Sequence, residues 1–244
     1  MSVYSTHFSS QSLMFDPAVG QCKVPFIAGT MTFSKSLKSF FFPGNWLLDA
    51  IVPSRPVVFL DTDGVPAPEM RSENLVSNET EAVLVHKLAW ALLKGGLQPS
   101  SLGIISPYRH QLKLITQIFH RDTSTKQSEI EINTVDKYQG RDKACIIVSL
   151  VRSNEHSNVG DLLRDWRRVN VAVTRAKQKL ILIGSLLTLK GSLLLQELFD
   201  LLERRDWVHV LPYDAHKLYD FVAKSSQTSP VKSLDVERTR FKDL

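Results

Sequence analysis

The chain of 244 residues is 43% hydrophobic and carries a formal net charge of +5. Such a length buries a substantial core, the composition is that of an ordinary globular protein, and the basic balance leans towards a polyanionic partner. Two cysteines exclude a disulfide framework, a four-cysteine zinc site and a self-contained iron–sulfur site, and no apolar run reaches the roughly 18 residues of a membrane span.

Residues 1–44 are rich in Ser, Phe and Thr and lack a sustained period. Asp16 is the one acidic residue there, but Arg is absent and no amphipathic stripe appears, so a poorly ordered leader is expected rather than a transit peptide. From Val57 the texture changes. VVFLDT (57–62) is an apolar run ending on polar residues, as in a buried strand. Asn78 followed by Glu81 forms a capping-box pattern, with Asn78 accepting amide bonds and Glu81 reaching back. The helix that follows carries Ala82, Val85, Leu88, Ala89 and Leu92 at helical spacing and stops at Gly95-Gly96. A strand is expected at 102–106, a helix at 110–119, and strands at 129–135, 145–151 and 180–184. A helix over 193–204 and a strand over 207–211 close the domain, whose expected extent is 45–220, with a polar tail at 221–244.

Strands alternating with helices, the inner strands continuously apolar, predict a doubly wound, mainly parallel α/β sheet with helices on both faces. Ligands in such sheets sit at the carboxyl ends of strands. The loops Pro107–Arg109 and Lys137–Lys143 both follow predicted strands, so a single ligand edge is expected.

Two segments carry chemistry. In TVDKYQGRD, Thr134 ends an alternating strand, Gly140 permits a tight bend or close ligand approach, and Gln139 and Arg141 offer an amide and a planar cation suited to phosphate oxygens. Composition alone favours reading it as a solvated turn. In the second segment, 165–178, Val169, Val173 and Ala176 share a predicted helix face, and Arg168 and Arg175 project together seven residues apart. An arginine held so neutralises charge developing during phosphate hydrolysis, or it pairs with Asp161 or Asp165 on the surface.

In order, TVDKYQGRDK, an apolar strand, RSN and DWRRVNVAVTRAKQKL resemble motifs V and VI of superfamily 1 helicases, and SPYRHQ (106–111) resembles motif IV. Within that superfamily these forms, with NWLLDAIVPSRPVVFLDTDGVPAPE (45–69) and SNETEA (77–82), look most like the eukaryotic helicase–nuclease family that trims 5′ flaps in Okazaki fragment processing and resects broken DNA ends. The nonsense-decay RNA helicases share the QGR and TRA cores.

The resemblance implies a second RecA-like motor domain that, with a first, clamps ATP and Mg²⁺ and moves 5′ to 3′ on single-stranded DNA. Carried over, Arg175 is the arginine finger and Arg141 its companion. Gln139, Gly140, Asp142 and Arg109 approach the triphosphate, while Thr134 and Tyr108 face nucleic acid. The implied partners are single-stranded or 5′-flap DNA, the nuclease and first RecA-like domains, and a single-strand-binding protein. The implied location is nuclear, with a mitochondrial pool; no membrane is implied. No G-x-x-x-x-G-K-[ST] occurs in the chain, nor do the family's four cluster-binding cysteines, and no metal site is expected here. The expectation is a domain without ATPase, unwinding or nuclease activity by itself. A non-catalytic short form that binds nucleic acid or partners, and an RNA helicase piece of the decay type, are the alternatives.

Overall fold

The computed structural model describes residues 46–72, 75–121 and 129–217, together with the short paired strands β1 (Phe15–Asp16) and β2 (Gln21–Cys22). The rest of the expected leader and the expected tail at 221–244 lie outside the described residues. Helix α1 (Trp46–Ile51) leads into β3 (Val57–Asp61), and a hairpin of β4 (Met70–Ser72) and β5 (Leu75–Ser77) precedes α2 (Glu79–Lys94). Then come β6 (Leu102–Ser106), α3 (Arg109–Arg121), β7 (Glu131–Thr134) and β8 (Lys143–Ser149). The last part holds α4 (Asp161–Arg164), α5 (Trp166–Thr174), β9 (Ala176–Gly184), α6 (Leu186–Leu189), α7 (Leu193–Arg204) and β10 (Val208–Val210).

Six strands form one parallel sheet in the order β10-β3-β9-β8-β6-β7. Successive strand residues face opposite ways, so each inner strand feeds two cores. Val58, Leu60, Ile104, Ile147 and Ile181 pack with α1, α2 and α3, whereas Phe59, Ile105, Ile146, Val148 and Leu182 pack with α5 and α7. Burial on both faces explains why these strands are unbroken apolar runs. This is the expected doubly wound, parallel α/β sheet with helices on both faces. No helix among the described residues is long and apolar enough to cross a membrane.

Local signals set the helix ends. The Asn78 side chain accepts from the Glu81 amide at 3.0 Å. Gly95 closes α2 through its amide to the Ala91 carbonyl, and Gly96 takes a φ of 101°. The capping box is nevertheless only half formed. The Asn78 amide donates to Gln111 Oε1 at 2.8 Å, and the fully buried Glu81 turns instead towards the end of β8. Helix α5 also ends sooner than its pattern suggests. Ala176 begins β9, and Arg175 is the residue that caps the helix.

Candidate functional site

The chain from β7 to β8 decides the site's layout. These strands are parallel with β6 between them, so residues 135–142 must return the length of the sheet, from its carboxyl edge to its amino edge. The return begins as a 3-10 turn, Val135–Tyr138, and lies against the sheet through Tyr138. That ring occupies the space a side chain at Gly103 would fill, and its hydroxyl donates to the Glu131 carbonyl at 3.0 Å. Burial pushes the phenol up. Helix α5 runs beside the return and straps it at both ends: Arg168 bonds Asp136 at 3.1 Å and Arg175 bonds Asp142 at 3.0 Å.

The expectation of one ligand edge is therefore corrected. Pro107–Arg109 and Thr134 stand at the carboxyl ends of β6 and β7, but Gln139–Asp142 stand at the amino ends, beside the start of β8 and β9. The Lys143 amide donates to the Arg175 carbonyl at 3.1 Å, which fixes Arg175 at that same amino edge. Arg109 is thus separated from Arg141 and Arg175 by a strand's length, ~17 Å for five residues. The shared direction expected for Arg168 and Arg175 also fails to make one site, because the two reach opposite ends of the return.

The amino edge is a cluster of exchangeable ion pairs. Arg141 lies 2.6 Å from Glu131, and Lys143 lies 3.2 Å from the other oxygen of the same carboxylate. Burial works against the charge on Glu131, but the hydrogen bonds from Arg141 and Lys143 hold its carboxyl below the usual range. Arg175 is steadied by its own neighbour, donating from Nε and Nη2 to Thr174 Oγ1 at 3.3 and 2.9 Å. Gly140 takes a φ of 78°, and no atom stands where a β-carbon would project, so an anion can approach the backbone there. Arg141 is 60% exposed. Pairs this open contribute at most about 1 kcal/mol, so a phosphate can take over either guanidinium at little cost. Gln139, Gly140, Arg141 and Arg175 hence fit part of a polyphosphate contact. Among the described residues no group of His, Cys, Asp and Glu is arranged to hold a metal ion. Cys145 is buried in β8, where burial pushes its thiol up to about 12, and two cysteines do not fit an iron–sulfur cluster.

The carboxyl edge is a groove over a rigid floor. A cavity of about 890 Å³ is lined by Arg71, Tyr108, Arg152, His156, Asn158 and Arg164, among others. Arg152 is held by a bidentate pair with Glu69, at 2.7 and 3.1 Å. Glu69 also accepts from the Ser153 amide and Asn154 Nδ2, at 3.0 and 3.1 Å. Burial opposes the charge on Glu69, yet these donors hold its carboxyl below the usual range. Tyr108 is 8% exposed and its hydroxyl has no well-placed partner. Tyr108 lines the groove, but its hydroxyl is itself buried. Thr134 is half-buried at the same edge, with its hydroxyl uncommitted to the turn that follows.

Sequence reasoning missed Glu131, the shared partner of Arg141 and Lys143, and the Glu69–Arg152 pair. A carboxylate opening a strand just upstream of a QGR loop, and a lone Glu at the end of a Pro-rich loop, are weak signals that only spatial proximity makes legible.

Comparison with known proteins follows the same lines. Residues 3–187 match the AAA domain family. The DNA replication ATP-dependent helicase/nuclease DNA2 of Xenopus tropicalis is 50% identical over 172 residues, 70% of this chain and 16% of that protein. The human protein of the same name is 48% identical over 172 residues, again 70% and 16%. That of Saccharomyces cerevisiae is 38% identical over 201 residues, 82% of this chain and 13% of its length. This chain therefore spans about a sixth of the relatives it matches. Among solved structures, the C-terminal domain of a possible DNA helicase from Lactobacillus plantarum aligns with 75% of this chain and 99% of its own at 13% identity. Its TM-score is 0.38.

Proposed function

Since the chain belongs to the AAA domain family and is similar over most of its length to a C-terminal helicase domain of the helicase/nuclease type, we propose that it acts as the second motor domain of an ATP-dependent DNA helicase. The observation that carries this reading is the two-edged sheet. Paired but replaceable arginines line the amino edge around an open Gly140, and a groove rich in arginine lies along the carboxyl edge.

On this reading Arg175 is the arginine finger. Its guanidinium exchanges Asp142 for the phosphoryl group being transferred and neutralises the charge that develops there. Arg141 exchanges Glu131 for a neighbouring phosphate oxygen, while Gln139 and the Gly140 backbone line the approach. Arg109, on the far edge, joins the nucleic-acid side with Thr134 and Tyr108, and Arg71 and Arg164 hold strand phosphates. Mg²⁺ bound with the nucleotide would supply further charge neutralisation, and among the described residues no cluster would hold it. The chain contains no phosphate-cradling G-x-x-x-x-G-K-[ST] loop, so hydrolysis requires a second domain that carries one. The wider setting proposed with it is 5′-to-3′ movement on single-stranded or flap DNA, in the nucleus, during Okazaki fragment processing and end resection beside a single-strand-binding protein.

The test is DNA-stimulated ATP turnover by the chain alone and in assembly with a P-loop-bearing domain. No turnover is expected alone. Turnover is expected in the assembly, and Arg175→Ala should abolish it. ATP hydrolysis by the isolated chain that depends on Arg175 would overturn the division of labour. Hydrolysis by the assembly that ignores Arg175→Ala would overturn the finger.

A further inference from the structure

Beneath the groove, β8 ends in an unusual turn. Val151, a fully buried β-branched residue, takes a φ of 73°, and the Arg152 amide donates to the Leu150 carbonyl at 2.8 Å. A three-residue turn closed by a hydrogen bond from residue i+2 back to residue i, with positive φ at its centre, is the strained form of the γ-turn. Bulky L-residues avoid that backbone region, and such strain persists only where the surroundings over-determine it. Here the surroundings can be named.

The Val151 amide donates to Glu81 Oε2 at 3.0 Å, and the Val151 carbonyl accepts from Asn78 Nδ2 at 3.3 Å. Both clamping residues belong to the first turn of α2 and its cap, seventy residues away in sequence, and both are fully buried. They are fixed in turn. Ser149 Oγ donates to Glu81 Oε2 at 2.6 Å and accepts from Gln111 Nε2 at 3.1 Å. Gln111 holds Asn78 through its backbone amide and carbonyl, at 2.8 and 3.0 Å. Asn78 Nδ2 also donates to the Ala67 carbonyl at 2.8 Å, on the loop that presents Glu69 to Arg152. A buried polar network satisfied at every member is rigid and specifies one arrangement. It joins α2, α3, β8 and the Glu69 loop at one point.

We propose that Glu81 is a positioning residue: with Asn78 it clamps the left-handed backbone of Val151, and so sets where Arg152, Ser153 and Asn154 stand along the groove. A chain leaving β8 with ordinary extended geometry would carry Arg152 in another direction, away from Glu69 and from the Tyr108 hydroxyl. The clamp is distinct from the ion pairs that hold Arg152 once it has arrived. That the groove carries nucleic acid rests on the reading above; the clamp itself does not.

The experiment uses the full chain. Amide hydrogen exchange at Val151 and binding of a fluorescent 20-nucleotide oligo-dT are measured for wild type, Glu81→Met, Val151→Gly and the double variant; Met keeps the length of the side chain and removes the oxygen that accepts from the Val151 amide. Glu81→Met should speed exchange at Val151 at least tenfold beyond the change at core amides of β3 and β9, and weaken oligo-dT binding several-fold. Glycine tolerates positive φ without strain, so Val151→Gly in the Glu81→Met background should recover at least half of the lost affinity. Val151 exchange that moves only with the core amides would overturn the clamp, as would an affinity loss that glycine leaves untouched. A wild-type chain that binds no oligo-dT sinks the nucleic-acid reading, while the exchange result still decides the clamp. Should Glu81→Met fail to fold, Asn78→Ser keeps a capping oxygen and removes the amide on the Val151 carbonyl. Faster exchange at Val151 than at the core amides then supports the clamp, and parallel exchange overturns it.

Discussion

The two edges of one sheet are built on opposite physical terms. At the amino edge, Arg141, Lys143 and Arg175 meet Glu131 and Asp142 in ion pairs that water reaches: Asp142 is 42% and Arg141 60% exposed, and Glu131, Lys143 and Arg175 are half-buried. At the carboxyl edge, Arg152 and Glu69 are 5% and 9% exposed, and behind them lies a closed network of buried side chains. Exposed pairs exchange partners readily, while buried ones are costly to break. The first edge suits contacts that are made and released; the second suits a wall that keeps its shape.

The sharpest way to break this comparison is Arg175→Ala in the assembly with a P-loop domain. ATP turnover should fall by about 10³-fold or more, with oligonucleotide affinity unchanged. A loss of affinity instead would merge the two edges into one site.

Second, Glu69→Ala leaves the Arg152 guanidinium buried without its partner and should destabilise the fold by about 3 kcal/mol in a urea titration. A cost under about 1 kcal/mol would place that pair among the exchangeable ones.

Third, the carboxyl edge should impose a pH dependence near neutrality. Burial pushes Glu81 up to about 8, opposed by its hydrogen bonds from Ser149 and Val151. A folded value above the unfolded one means stability fully present below the usual carboxylate range and lost as pH rises towards 8. The thermal midpoint should therefore fall between about pH 5 and 8, and Glu81→Gln should flatten that slope. Glu131 and Glu69 are held low, so their contributions are lost only in acid.

The smallest effect is expected for Glu131→Gln. It removes two partly exposed pairs but keeps a hydrogen-bonding oxygen for the two cations, and should move stability by about 1 kcal/mol or less.

Much of the fold was legible because its signals are local. Asn78 caps α2 and Gly95-Gly96 end it, as their chemistry requires. The apolar runs at 57–61 and 102–106 are strands because both faces of the sheet are covered. The chemistry-bearing residues were legible as a set through TVDKYQGRDK and NVAVTRAK. Their grouping was not. A loop after a strand was read as a carboxyl-edge loop, but residues 135–142 travel the sheet's full length before β8 begins. Nothing in the segment itself says that β6 will lie between β7 and β8. Helix α5 misled in the same way, because Ala176 continues its apolar spacing yet pairs with Lys143 as the first residue of β9.

By itself the sequence determined most of the main helices and strands, that the sheet is parallel and covered on both faces, and which cations and amides are available. Capping, periodicity and backbone permissiveness act within a few residues of where they are written. Only the tertiary structure decided that Arg141 and Arg175 share an edge which Arg109 does not. It also decided that Glu81, written as half of a capping box, commits its carboxylate to a strained turn seventy residues away. Strand order and the meeting of distant side chains depend on how the whole core closes, and no local stretch of sequence encodes that.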